Sequence, residues 1–364
     1  MNIGKIKKSQ PLNQLRLTRT ESDILKGIAL LFLLIHHLFY IRNGRFDDIE
    51  LFNNHYLINI IGQTFKVCVP LFVFLSGYGL TAGVETIEKI NLKKFYKHRF
   101  SKLYFNYWLI WMIFVPIGIF VFDITFEKIY GNHIIIKFIL DILGLINIIG
   151  NYGYNPTWWF YSCITLLYIL FPITITACKN KWSSLALLLI SVGLTFCQFT
   201  PLQPIRYYLL TFILGCYFRN GLIYKILPPP ISHYTLKASN GQLSFWEISI
   251  LIIMIGISIP IRFLTSYALV IDTLIAILII FCFKNIKMHP YIHKSLRFCG
   301  KHSFNIFLFH TFLFYLYLPQ FIYWHRNPLI IFITLLLFCL SISVIIEYGK
   351  DKLGYYKFLN RITN

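Results

Sequence analysis

Charge is what this chain lacks. Of its 364 residues only 13% are Asp, Glu, Lys or Arg, about half the roughly 25% of a soluble domain. Acidic residues are the scarcest, 14 against 34 Lys plus Arg. With 57% apolar residues and a mean hydropathy of +0.64, this excludes an ordinary water-soluble domain. The eight cysteines are scattered, with no C-x-x-C pair, so neither a zinc site nor a disulfide framework is expected. No small-residue cleavage site follows the first apolar run, and about 22 polar, mostly basic residues precede it. The expectation is a retained first helix rather than a removed leader.

What is present is apolar sequence in long runs. Several approach or exceed the 18 residues or so that mark a membrane span. The reading is an all-α, polytopic membrane protein of about ten transmembrane helices, at roughly 24–41, 59–82, 101–122, 157–177, 183–200, 204–219, 245–262, 265–283, 302–320 and 327–347. Pro228 to Pro230 mark a break between two helix groups. A single membrane domain over 23–348 is expected between basic tails at 1–22 and 349–364.

The net charge of +20 does not call for a nucleic acid, because Lys and Arg gather in cytoplasmic loops of membrane proteins. With both termini placed in the cytoplasm, the segments 1–26, 83–102, 178–182, 219–244, 284–301 and 348–364 hold 26 of the 34 basic residues. Residues 134–149, "IIIKFILDILGLINII", are apolar enough for a further helix. A full span there would carry the basic 284–301 segment outside, so the stretch is expected to lie on or dip into the outer face.

Polar residues inside the spans are the functional candidates. In "LKGIALLFLLIHHLFY", Lys26 and His37 are eleven residues apart, a rise of about 16 Å with a net rotation of about 20°. They share a helix face, and His36 lies about 80° away. His37, near mid-membrane, is suited to general-base work, since an apolar site holds imidazole neutral. Lys26 is equally well a snorkelling anchor. No third ligand at a metal-binding spacing accompanies the histidines, so no metal is expected.

These residues carry a family resemblance. "LKGIALLFLLIHH" (25–37) resembles the first helix of the acyltransferase-3 family, membrane enzymes that move acyl groups, mostly acetyl, onto glycans and related acceptors. The family shows a basic residue, usually Arg, ten residues, then an essential His. "VPLFVFLSGYGL" (69–80) resembles its second helix, and "HRFSKLYFNYW" (98–108) its Arg-x-x-Arg start of helix three, with Lys102 for the second Arg. "TWWFYSCITLLYILFP" (157–172), "IRYYLLTFILGCYF" (205–218) and "SFNIFLFH" (303–310) are weaker matches in the family order. Two departures are evident. No acidic residue lies between Thr157 and Pro172, where some relatives carry one, and no appended hydrolase-like domain of the kind many relatives carry is expected in the 17 residues after the last expected helix.

The resemblance implies an acyltransferase of groups other than aminoacyl, in the bacterial inner membrane, with no permanently bound cofactor. Acetyl-CoA or another acyl-CoA would be the co-substrate. Its phosphates would lie at Lys26, Arg99 and Lys102, although positive-inside bias also accounts for the last two. His37, with His36 beside it, would be the base. Ser76 is a candidate oxyanion donor, or only a small residue for helix packing. His310 would assist or serve structurally. Lys66 and Arg206 would line the acceptor's path, with Asp272 as a possible partner. The expected partners are acyl-CoA, a glycan or lipid-linked glycan, and membrane lipid, with no nucleic acid. A glycan exporter, and an acyltransferase acting on an amino acid or other small molecule, are the alternatives. No inverted repeat or matched pair of broken helices favours a transporter.

Overall fold

The computed structural model describes residues 15–40, 49–84, 91–197, 203–265 and 267–363. The first fourteen residues of the expected N-terminal tail, and the end of the expected fifth span at 198–200, lie outside them. Among the described residues there is no β-strand, only an isolated bridge between Leu51 and Asn54.

Helix α1 (Arg19–Tyr40) is continuous, so Lys26 and His37 do share one rod. The second expected span is two helices, α2 (His55–Thr64) and α3 (Cys68–Ala82), joined by a 3-10 turn at Phe65–Val67 that holds Lys66. Helix α4 (Leu92–Phe122) begins nine residues before the expected 101. The Asn91 side chain accepts the Lys94 N–H at 3.0 Å, satisfying one of the free donors of the first turn. Arg99 and Lys102 therefore project from a helix rather than a loop.

After α4 come α5 (Phe126–Tyr130), α6 (Ile134–Ile142), α7 (Trp159–Ala177), α8 (Lys181–Phe196) and α9 (Gln203–Asn220). Then follow α10 (Ile223–Ile226), α11 (Pro229–Ser239), α12 (Phe245–Leu264) and α13 (Ala268–Asn285). Helix α14 (Pro290–Thr311) runs into a π-helical turn, Phe312–Tyr317, before α15 (Pro319–Tyr323), α16 (Pro328–Lys352) and α17 (Tyr355–Thr363). A helix coincides with each expected span, and among the described residues seven are long and apolar enough to cross a membrane. On α12, Ile250, Ile252, Ile253 and Ile257 are all more than half exposed, a face suited to lipid and not to water.

Two expectations are corrected. The basic 284–301 segment is not a loop, because Pro290 opens α14 and Arg297 and Lys301 lie about two and three turns into it. Proline suits that position, where its missing N–H has no partner to lose. Hydropathy hides this start because the first turns are polar. The basic segment expected at 349–364 is itself largely helical. Helix α16 continues to Lys352, and α17 packs against α4 through Phe358 and Phe105, ring centres 5.4 Å apart.

Residues 134–149 form no single helix. The nine residues of α6 rise only about 13 Å, less than half of a hydrocarbon core of about 30 Å. The helix stops at Gly144, whose φ is +64° and on which a Cβ would stand 2.3 Å from the Tyr161 ring. The end of α6 lies against the middle of α4. Tyr107 donates to the Asp141 carbonyl at 2.6 Å, Trp108 to Ile142 at 2.8 Å and Tyr104 to Leu143 at 2.8 Å. The segment thus dips against α4 rather than running on as one helix.

Asp141 is the pin of this dip. It is fully buried, and one carboxylate oxygen accepts from the Tyr130 hydroxyl at 2.6 Å and the Tyr154 N–H at 2.7 Å. Asp141→Ala would orphan both donors, each at a cost of about 1–3 kcal/mol. The variant is expected to melt well below the parent in detergent, and Asp141→Asn, which keeps one acceptor oxygen, to melt in between. Equal melting temperatures for Asp141→Ala and the parent would remove Asp141 from this role.

Candidate active site

Two helices bring the histidines together, and small residues let them do so. A Cβ on Gly27 would stand 2.0 Å from the Leu296 carbonyl oxygen, and one on Gly300 would stand 1.7 Å from that of Asp23. The backbones of α1 and α14 touch there, as small residues allow in membrane helices. His37 lies ten residues beyond Gly27 and His310 ten beyond Gly300. The helices run parallel, and their rings meet edge to edge, centres 4.8 Å apart and planes within 7° of each other.

The hydrogen bonds define the tautomers. His310 Nδ1 lies 2.9 Å from the Ile306 carbonyl and 3.0 Å from that of Phe307. Carbonyls only accept, so this nitrogen carries the proton and Nε2 of the neutral ring is an acceptor. His37 Nδ1, 2.6 Å from that Nε2, must then donate. A neutral His37 is left with a bare lone pair on Nε2, the arrangement of a general base with an oriented ring. The π-turn follows directly after this pair, at Phe312.

The start of α7 approaches from the other side. Asn155 is fully buried and accepts both the Thr157 N–H at 2.9 Å and the Thr157 hydroxyl at 2.7 Å. With that proton committed, the Thr311 hydroxyl donates across to Thr157 Oγ1 at 3.0 Å. Thr157 lines a small pocket with His37, Leu33, Val69, Trp159 and Phe307.

Phe72, Phe160 and Phe307 separate this pocket from a much larger one. The larger cavity, about 640 Å³, carries six cationic side chains on its wall: Arg19, Lys26, Arg99, Lys102, Arg297 and Lys301. Asp23 is the one acidic residue among its lining and lies 3.4 Å from the Lys26 ammonium. Such a surplus of positive charge in a concave site favours a polyanion. A basic mouth at one end and a bare imidazole nitrogen beyond an aromatic waist would suit a long ligand, charged at one end and reactive at the other.

The other expected site residues divide. Lys26, Arg99 and Lys102 line the basic cavity, as does Ser76, whose hydroxyl donates back to the Phe72 carbonyl at 2.8 Å. Ser76 is thus below the waist, away from His37, while its neighbour Gly77 packs against the Phe212 carbonyl. His36 turns to α2, bonding the Gly62 carbonyl at 2.7 Å and stacking on Tyr40. Lys66 lies near enough to His36 and Asp272 to act on both electrostatically. Arg206 does not join them. It is buried at the start of α9, over the Tyr207 ring, 200° around the helix from Tyr208. Asp272 pairs with Arg262, not with Lys66 or Arg206. Sequence reasoning missed Arg19, Arg297, Lys301, Asn155 and Thr157, although the polar stripe at the start of α14 carried a readable signal for two of them.

Comparison with the curated proteins and with the solved structures yields no match. The family comparison does, over nearly all of the chain, with residues 19–348 matching the acyltransferase domain that defines the acyltransferase-3 family. The histidine pair and the basic cavity both fall within that range, and the chain belongs to the acyltransferase-3 family of membrane acyltransferases.

Proposed function

We propose that the protein is an O-acyltransferase that takes an acyl group, acetyl first among them, from cytoplasmic acyl-CoA and passes it to a hydroxyl of a surface glycan or its lipid-linked precursor in the bacterial inner membrane. One observation carries this reading. A six-cation cavity leads, through an aromatic waist, to an imidazole nitrogen left free by its own hydrogen bonds. The phosphates of coenzyme A would sit among the cations, with the pantetheine arm running toward His37. The extended molecule, roughly 20 Å long, compares with a Lys26 to His37 rise of about 16 Å.

In this mechanism His37 Nε2 takes the proton of the acceptor hydroxyl as its oxygen attacks the thioester carbonyl. The tetrahedral intermediate collapses with cleavage of the C–S bond. The imidazolium returns the proton to the departing thiolate, leaving an ester, free coenzyme A and neutral His37. His310 keeps the His37 Nδ1 proton in place throughout.

The test is reconstitution of the full chain with radiolabelled acetyl-CoA. Label reaching a glycan acceptor supports the proposal, and glycan translocation without labelled product overturns it. Donor binding is read separately. Lys26→Ala is expected to raise the acyl-CoA dissociation constant about tenfold, from loss of about 1.5 kcal/mol, the low end for a charged hydrogen bond. The low end applies because the Lys26 side chain is 39% exposed and five other cations share the load. Lys26→Arg should bind nearly as the parent does. Unaltered affinity in Lys26→Ala would make this lysine an interfacial anchor only.

A further inference from the structure

A second cavity of about 640 Å³ lies between α4, α16 and α17, away from the histidines. Its wall is hydrocarbon and aromatic, from residues such as Ile113, Ile342, Ile346 and Phe358. Lys350 also borders it, but the ammonium turns inward to Asn106, Asn305 at 2.9 Å and Glu347 at 2.6 Å. By volume the space equals roughly twenty waters, with few polar groups to hold them. Two of its three walls, α4 and α16, are helices long and apolar enough to cross a membrane.

Gly349 leaves room at the wall of α16. It lies inside α16 and borders the cavity, yet a Cβ on it would meet nothing within 4 Å. A glycine inside a helix costs about 1 kcal/mol relative to alanine. Among the described residues none packs against it, and the space beside it belongs to the cavity.

Charge indicates which way the ligand lies. On α17, Lys357 and Arg361 stand about 100° and 60° to one side of Phe358, with buried Leu359 about 100° to the other. Both cations are exposed, as is Lys352 at the end of α16. An amphipathic helix with a basic flank is suited to an anionic lipid surface. We infer that this cavity is a binding site for one anionic glycerophospholipid, its acyl chain against Gly349 and its headgroup beside Lys352, Lys357 and Arg361. The site is independent of the acyl-transfer reading.

The test uses the full chain, delipidated in detergent and titrated with phosphatidylglycerol or phosphatidylcholine. Bound lipid is counted by native mass spectrometry and melting temperature is followed. The parent should retain one phosphatidylglycerol, which raises its melting temperature, and retain phosphatidylcholine at least tenfold more weakly. Gly349→Leu should stay folded without lipid and lose the retained molecule, and Ile346→Phe should do the same from one turn earlier. Each of Lys357→Gln and Arg361→Gln should cut the preference for phosphatidylglycerol about fivefold. No retained lipid in the parent, equal retention of the two lipids, or full retention in both cavity-filling variants would overturn the site.

Discussion

His37→Ala is expected to lower acyl transfer by about 10²–10⁴-fold, the usual contribution of a positioned general base, or about 3–5 kcal/mol of barrier. Donor binding should be nearly unchanged, because the cations that would hold coenzyme A lie on the far side of the aromatic waist. His310→Ala should cost less, roughly ten- to hundredfold, the range seen when the orienting partner of a metal-bound histidine is removed. Without His310 Nε2 as acceptor, the His37 Nδ1 proton has no fixed seat and the ring can present the wrong tautomer. His310→Gln offers an amide oxygen to the same proton and should recover part of the loss. His36→Ala breaks a bond to the Gly62 carbonyl and should act on melting temperature rather than on turnover. The measurement is kcat and KM for labelled acetyl transfer beside acyl-CoA affinity, and more than a tenth of parental turnover in His37→Ala would remove it as the base.

The second large effect is steric. In Gly300→Ala the new methyl would stand 1.7 Å from the Asp23 carbonyl oxygen, so α1 and α14 must part by more than an ångström. Ten residues along, the 2.6 Å contact between His37 and His310 opens with them. A displacement of that size can cost about a hundredfold in turnover, and overpacking typically costs about 1–3 kcal/mol of stability. Gly193→Ala is the control, since nothing lies within 4 Å of that position. Melting temperature and turnover are measured together for the two variants. Parental values for Gly300→Ala would mean that the glycine crossing does not set the histidine pair.

The sequence made most helices visible because apolar runs are long where lipid surrounds them. It was blind where helices are polar. The start of α14 at Pro290 and of α4 at Leu92 carry Arg297, Lys301 and Arg99, and averaging over hydropathy reads such turns as loop. The shared face of Lys26 and His37 followed from helix geometry alone and holds because α1 is unbroken. The contact between His37 and His310 spans 273 positions, and no local periodicity encodes it. The only trace was a histidine recurring in "SFNIFLFH". Arg206, a charged residue in an apolar run, is buried over the Tyr207 ring at the start of α9, and the sequence showed its place on the helix but not that neighbour.

The waist formed by Phe72, Phe160 and Phe307 bears on leakage. Above it the pocket beside His37 has a volume of about 20 Å³, room for about one water molecule. A hydrated ion cannot enter such a space, and an apolar constriction of this kind sheds water. A donor cavity open to one side of a membrane, and an acceptor approached from the other, would together make a short circuit for protons. Phe72, Phe160 and Phe307 stand at that junction, and on the proposed reading they would have to part for the acyl arm and close behind it to keep the membrane tight.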